Sequence, residues 1–452
     1  MLKRISNFFG KSQRQQNVGD RLVIPSGQHS LSPKMISRDA RKVVDVLQEN
    51  GYEAYVVGGS VRDLLLGLKP KDFDVATNAK PAEIKPLFRR SRIIGRRFQI
   101  VHVQFSRELI EVTTFRSNET KGQDKKGGGN RRQQTDSGML TRDNVFGSIS
   151  DDASRRDLTI NALYYNPGDN SIHDFADGLE DIDNRTIRIM GDPATRFRED
   201  PVRLLRVVRF AAKLGFTIER STEKPMRKLA GDLDHVSPPR LFDESLKLFM
   251  SGQGLATFWL LHEYGLFDHI VPQLSSLMKE RNSLNSNLIE QAFTNTDLRI
   301  RSNKRVTPAF IYAALLWPSV QHLAKQYQGQ GNSPAYALNK AAGEVIARQV
   351  SITAIPRRFT MPMREIWDLQ LLLPRRGGQR AKRLSEHPRF RAAYDFVLLR
   401  EQAGEELSGL GDWWTAYQEA SEDKQQEMAN IQNDGGKKRR RRKPRNAKPK
   451  VQ

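Results

Sequence analysis

Gly58-Gly59-Ser60-Val61-Arg62-Asp63, followed shortly by Asp72-Phe73-Asp74, decides how this chain is read. The first run sits between Ala54-Tyr55-Val56-Val57, apolar and strand-like, and Leu64-Leu65-Leu66, which Gly67 stops. Two glycines at a strand-to-helix turn permit positive φ and leave bare backbone for a ligand to approach. The helix start behind them offers unpaired N–H groups that suit phosphate, with Arg62 as a further contact. No Gly-Lys-Ser/Thr follows, so the turn is not a P-loop. In the second run, a strand reading of Lys71–Thr77 puts Asp72 and Asp74 on one face and Phe73 on the other. Neighbouring carboxylates repel unless cations lie between them, and a pair of Mg²⁺ ions would satisfy both. A lone Asp-x-Asp is common; behind a double-glycine turn it becomes a candidate catalytic pair.

Outward from this centre the elements alternate. Ala40, Val43, Val44 and Leu47 recur at helical spacing, and Gly51 ends that helix. Residues 96–105 and 108–115 read as a third and fourth strand joined as a hairpin. On the fourth, Leu109, Glu111 and Thr113 share one face, so Glu111 is a candidate to join the acidic pair; an edge-strand surface glutamate is the competing reading. Further on, Arg155-Arg156-Asp157 precedes Thr159-Ile160-Asn161. Guanidinium forks suit phosphate and a carboxylate suits ribose hydroxyls. Glu199-Asp200-Pro201-Val202-Arg203 reads as a helix start, with Asp200 as N-cap, Pro201 first in the helix and Gly215 closing it. Arg203, Arg206, Arg209 and Lys213 form a stripe on that helix. A solvated face is the ordinary explanation of such a stripe; here Asp200 and Arg203 are also placed to bond a nucleobase edge. His173-Asp174 superficially suggests a metal-dependent phosphohydrolase, but no partner ligands lie nearby and a strand end explains it better.

Taken together, GGSVRDLLLG, DFDVAT, EVTTFR, GSISDDASRRDLTINAL and REDPVRLLRVVRFAAKLGF resemble the class II nucleotidyltransferases of the polymerase-beta superfamily. That family contains bacterial poly(A) polymerases and CCA-adding tRNA nucleotidyltransferases. The resemblance runs from about Ala54 to Pro272, with all five motifs in family order. It implies Asp72 and Asp74 as holders of two Mg²⁺ ions, and Asp157 as a further essential acid near the ribose, with Arg156 beside it. Glu199, Asp200 and Arg203 are implied in base recognition. The third catalytic carboxylate is Asp157 or Glu111, and Asp157 is the more diagnostic. The candidate set for binding ATP, the implied substrate, is Gly58, Gly59, Ser60, Arg62, Asp63, Arg156, Asn161, Glu199, Asp200, Arg203 and Arg206. The long loop ending MLTRDNVFGS, then INALYYN, PPRLFDESLKLF and MPMREIWDLQLLLPRR, looks more like the poly(A) polymerase branch. The implied reaction is template-independent addition of AMP to RNA 3′ ends; the closest rival is CCA addition to tRNA. A non-catalytic RNA-binding protein would be expected to have lost a carboxylate, yet Asp72, Asp74 and Asp157 are all present.

The bulk properties agree. The 452 residues suffice for several domains, while 38% apolar content points to some chain outside any core. A net charge of +22 indicates a polyanionic partner. Lys437–Lys450 carries ten basic residues and no acid; removing those ten from +22 leaves +12, so the body is basic too. Absence of cysteine excludes disulfides and thiolate metal sites and fits the cytoplasm. No apolar run approaches the roughly 20 residues that span a bilayer. Leu2, Ile5, Phe8 and Phe9 could touch a membrane surface, but a disordered start is the better reading. The expected architecture is α+β: a small nucleotidyltransferase head whose mixed sheet is covered by helices, then a mainly helical neck and body, then a disordered basic tail. The expected boundaries are a disordered segment to residue 35, the head over 36–170, a base-recognising neck over 171–250, an RNA-binding helical body over 251–415 and the tail over 416–452. Residues 118–144, Gly-rich and basic, form a long connection inside the head. RNA 3′ ends are the expected partner, with RNA-decay machinery possible, and the chain is expected to be a monomer.

Overall fold

The double-glycine turn and the acidic pair both belong to one eight-stranded sheet in the computed structural model. The structure describes residues 21–95, 99–117, 145–278 and 282–434, with the backbone of 133–134 and 140–142. The sheet and its connections comprise β1 (Leu22–Ile24), α1 (Arg38–Glu49), β2 (Ala54–Val57), α2 (Gly59–Leu65), β3 (Asp74–Thr77), α3 (Pro81–Leu87), β4 (Ser91–Ile94), β5 (Ile100–Gln104) and β6 (Leu109–Thr114). A separate short pair, β7 (Gln133–Gln134) and β8 (Leu140–Arg142), precedes α4 (Ile149–Arg155), β9 (Leu163–Asn166) and β10 (Ser171–Asp174). Strand order is β1-β10-β9-β2-β3-β6-β5-β4. Every pairing is antiparallel except β3 with β6, so the sheet is mixed as expected. Beyond it lie α5 (Gly178–Asp183), α6 (Pro193–Glu199) and α7 (Val202–Leu214).

Local sequence explains these elements. Ser37 caps α1 by accepting from the Ala40 N–H, and Ala40, Val43, Val44 and Leu47 are buried at helical spacing. Strand β2 is buried along its whole length, as a central strand requires. In β6, Ile110, Val112 and Thr114 are buried and the alternate residues are half-buried.

The chain divides into two compact units, Met1–Val236 with Ala256–His269, and Ser237–Leu255 with Ile270–Gln452. The second is helical, with long helices at Leu284–Arg301, Pro308–Gly329, Pro334–Thr353, Arg357–Leu372 and Phe390–Gln402. Its buried indoles Trp367 and Trp414 are satisfied by backbone: Trp367 Nε1 donates to Ala313 O at 3.1 Å and Trp414 Nε1 to Leu373 O at 3.2 Å.

Three expected boundaries require correction. Residues 21–35 belong to the fold, because β1 pairs with β10 at the sheet edge. A head ending at residue 170 would cut off β10, which hydrogen-bonds to β9. The tail does not begin at 416: helices Leu410–Glu419 and Glu422–Asp434 continue the fold, and Tyr417 and Ala429 join the cluster around Trp414. The amphipathic start, most of the 118–144 loop and the basic arm lie outside the described residues.

Candidate active site

Strand β3 begins at Asp74, not Lys71, so Asp72 lies on the loop before it. The expected strand reading therefore holds only for Asp74. Phe73 is buried, while the Asp72 side chain is 70% exposed. Pairing settles which residues surround Asp74. Val57, one residue before Gly58, is its partner on the antiparallel side, and Glu111 is its partner on the parallel side. Burial pushes the Asp74 carboxyl up to about 6; the Glu111 and Asp72 charges add to the rise and the Arg156 charge opposes it. Glu111 and Asp72 thus make the ionised state of Asp74 costlier, a situation that a divalent cation relieves. The donors are all oxygens and anionic, which fits a hard cation such as Mg²⁺. Among the described residues no three acidic, histidine or cysteine side chains converge into a finished metal cage.

Glu111, not Asp157, stands beside Asp74. Asp157 has partners of its own. Its Oδ1 accepts from the Leu158 N–H at 2.9 Å and Asn161 Nδ2 at 3.1 Å, and its Oδ2 accepts from Arg206 Nε at 2.5 Å. Burial alone would raise its pKa; the Arg206 charge and these hydrogen bonds outweigh that and hold it well below the usual carboxylate range.

Gly58 has φ +77° and ψ −129°, a conformation closed to most side chains. A Cβ there would sit 3.2 Å from Arg156 Nη1, so this guanidinium lies directly against the turn. Arg156 donates to Tyr164 Oη at 3.0 Å and Asp152 Oδ2 at 3.0 Å. Burial works against its charge, but Tyr164 and Asp152 more than compensate. Arg62, the further contact suggested for phosphate, is engaged within the fold. It is buried, donates to Asp63 Oδ1 at 2.9 Å through Nε, bonds Asn161 Oδ1, and lies 4.8 Å from the Phe210 ring centroid. Ser60 is likewise turned inward, donating to Val57 O at 3.3 Å. Asp63 Oδ2 accepts from Lys213 Nζ at 3.2 Å. These residues brace the turn that follows Gly58 instead of reaching out from it.

The arginine stripe of α7 is not a solvated face. Arg206 reaches Asp157, Lys213 reaches Asp63 and Arg203 Nη1 reaches Glu199 Oε2 at 3.0 Å. Gly215 ends α7 at φ +65°, as expected. Asp200, however, is the C-cap of α6, and Pro201 is the N-cap of α7. Proline breaks the helix there because it lacks an N–H to donate. Arg196 does not stand out in sequence at all. It is buried, and it joins Glu199 to the backbone of the Arg155–Arg156 pair. Its spacing of three from Glu199 on one helix is the signal that could have found it.

The poly A polymerase head domain matches residues 54–188, the probable RNA and SrmB-binding site of polymerase A matches 215–278, and the polymerase A arginine-rich C-terminus matches 330–447. Poly(A) polymerase I of Salmonella typhi is 45% identical over 465 residues, covering 99% of each chain. A Staphylococcus aureus CCA-adding enzyme is 36% identical over 215 residues, only 48% of this chain and 50% of its own. The crystal structure of the Bacillus stearothermophilus CCA-adding enzyme in complex with CTP has a TM-score of 0.55 at 25% identity, covering 85% of this chain and 81% of that one. The likeness to CCA-adding sequence thus stops at half the chain, whereas the likeness to poly(A) polymerases runs from end to end. The chain belongs to the bacterial poly(A) polymerases, the polynucleotide adenylyltransferases that extend RNA 3′ ends with AMP from ATP.

Proposed function

We propose that Asp72, Asp74 and Glu111 hold the Mg²⁺ ions of this reaction, and that the Gly58–Gly59 turn with Arg156 receives the ATP triphosphate. The observation that carries this reading is the register of Asp74 with Glu111 at the strand end next to the glycine turn. Bound Mg²⁺ would acidify the attacking hydroxyl and neutralise charge on the triphosphate. The RNA 3′-oxygen forms a bond to the α-phosphorus as the bond to the bridging oxygen breaks, and pyrophosphate leaves. The 3′-hydroxyl proton passes to solvent or to a carboxylate of the group. No protein nucleophile is required; positioning and charge stabilisation supply the rate. Arg156, braced by Tyr164 and Asp152, presents its charge to the phosphates. Asp157 and Asn161 orient the nucleotide through Arg206 and the ribose, and Glu199, Asp200 and Arg203 read the base.

The basic composition and the match over 215–278 support an RNA grip by the helical regions and a protein partner in RNA decay. No described helix is long and apolar enough to cross a membrane. We place the enzyme in the cytoplasm as a monomer. The test is incubation of the full chain with a generic RNA and each nucleotide separately. Long tails with ATP alone are expected. Addition restricted to a CCA end on tRNA would overturn the assignment.

A further inference from the structure

We infer that Arg92 holds the phosphodiester joining the last two nucleotides of the RNA, on a track over the open face of β6, β5 and β4. This rests on the reading that Asp74 and Glu111 hold the reacting centre beside the glycine turn. Register carries one row of residues across four strands: Asp74 pairs with Glu111, Glu111 with His102, and His102 with Arg92. Residues paired in this way share a face of the sheet. Val75, Val112 and Val101 line the opposite face and are fully buried. On the open face Asp74, Glu111 and His102 are half-buried, and Arg92, on the edge strand β4, is exposed. His102 Nε2 lies 3.4 Å from Glu111 Oε1, so His102 fills the span between the carboxylates and Arg92.

In-line displacement fixes the side from which the RNA comes. The attacking 3′-oxygen and the departing pyrophosphate lie on opposite sides of the α-phosphorus. The glycine turn, which follows Val57 on β2, is on one side of Asp74, and Glu111 is on the other. With the triphosphate at the turn, the 3′ end enters over β6 and β5. Two strand spacings, about 10 Å, separate the Glu111 backbone from that of Arg92, and an extended arginine side chain covers much of that span. A 3′-hydroxyl at the carboxylates therefore brings the phosphate on the 5′ side of its own nucleotide within reach of Arg92. The charge there is uncompensated. Arg62, Arg156, Arg203 and Arg206 each pair with a carboxylate of the fold. Arg92 makes no hydrogen bond or ion pair to a described residue. An exposed guanidinium in line with the reacting centre presents a fork that matches phosphate.

The experiment uses the full chain and a short RNA primer, either unmodified or carrying one neutral methylphosphonate at its last linkage. The parent is expected to lose about tenfold in kcat/KM for the primer on that single change. Arg92→Gln should show a comparable loss on the unmodified primer, carried by KM for the primer with KM for ATP unchanged, and lose little more to the methylphosphonate. Arg92→Lys, which keeps the charge, should recover part of the loss. Lys42→Gln removes an exposed charge from α1 and should respond to the methylphosphonate as the parent does. Anisotropy titrations of the primer without ATP give a readout independent of turnover. There the slope of log affinity against log salt should lessen by about 0.7 in Arg92→Gln. If parent and Arg92→Gln lose equally to the methylphosphonate, Arg92 does not hold this phosphate and the inference fails. Glu111→Gln, run alongside, reports on the underlying reading. A large rate loss there, together with that equal loss, overturns the inference alone. A parent-like rate in Glu111→Gln overturns the reading, and the inference with it.

Discussion

At the scale of single residues, the site works by placing charges where neighbours constrain them. Burial, with the Glu111 and Asp72 charges, pushes the Asp74 carboxyl up to about 6, whereas Arg206 and its hydrogen bonds hold the Asp157 carboxyl well below the usual range, so the two aspartates are shifted in opposite directions. The first is suited to gather a cation and the second to hold a cationic side chain in place. Replacing Asp157 by Asn leaves Arg206 without its counter-charge. Removing one partner of a well-buried pair costs about 3 to 5 kcal/mol; here the Arg206 side chain is 30% exposed, so about 2 kcal/mol is expected after allowance for solvent screening. Urea unfolding of the Asp157→Asn protein measures this, and an unchanged midpoint would mean that the pair does not support the fold. Asp157 and Arg206 both stand out in the sequence, but their pairing does not. Arg206 lies 49 residues away, and local pattern says nothing about which carboxylate a stripe of arginines will meet.

At the scale of elements, the edge formed by β1 and β10 carries a titratable contact of its own. His173 of β10 is buried, meets Arg21 Nη2 at 2.6 Å through Nδ1, and shares a hydrogen bond with Ser171 Oγ at 2.9 Å. Burial lowers its pKa to about 4, with the Arg21 charge adding to the effect and the Asp169 charge opposing it. The unfolded chain, with an ordinary histidine, therefore binds more protons than the folded one between about pH 4 and 6.5. Stability is full above that window and is lost as pH falls through it. Thermal melts from pH 7 to pH 4.5 should show a steeper loss for the parent protein than for His173→Gln; parallel curves would contradict the role of this histidine. The edge also shows why some elements are legible in sequence and others are not. Helix α1 and strands β2 and β6 carry apolar residues in patterns that match their burial, so pattern alone finds them. Strands β1 and β4 are short edge strands with little burial, and they exist because a neighbour supplies hydrogen bonds. The strand reading of Asp72 fails for a related reason: its register partner would have to come from beyond the end of β2, where the chain turns at Gly58.

At the scale of the whole molecule, the mixed sheet organises the chemistry and the charge organises the substrate. The fold class is legible because five motifs occur in one order. The neighbourhood of Glu111 and Asp74 is not, because it depends on β3 and β6 lying side by side in parallel, a pairing of strands far apart in sequence. The net charge of +22 belongs to a protein whose RNA affinity should fall steeply with salt. Removing residues 437–452 should weaken RNA binding and lessen the slope of log affinity against log salt, by about 0.7 for each phosphate that the arm neutralises. An unchanged slope would show that the basic arm does not touch RNA. Placement of the reacting centre at the carboxylates around Asp74, and not at the Asp157 pair, is the proposal on which the mechanism rests. Its most direct test is a single-turnover assay of AMP addition by Asp74→Asn, with RNA affinity measured in parallel. A loss on the order of a thousandfold in rate is expected with RNA affinity retained; addition within about tenfold of the parent rate would rule out a metal-holding role for Asp74.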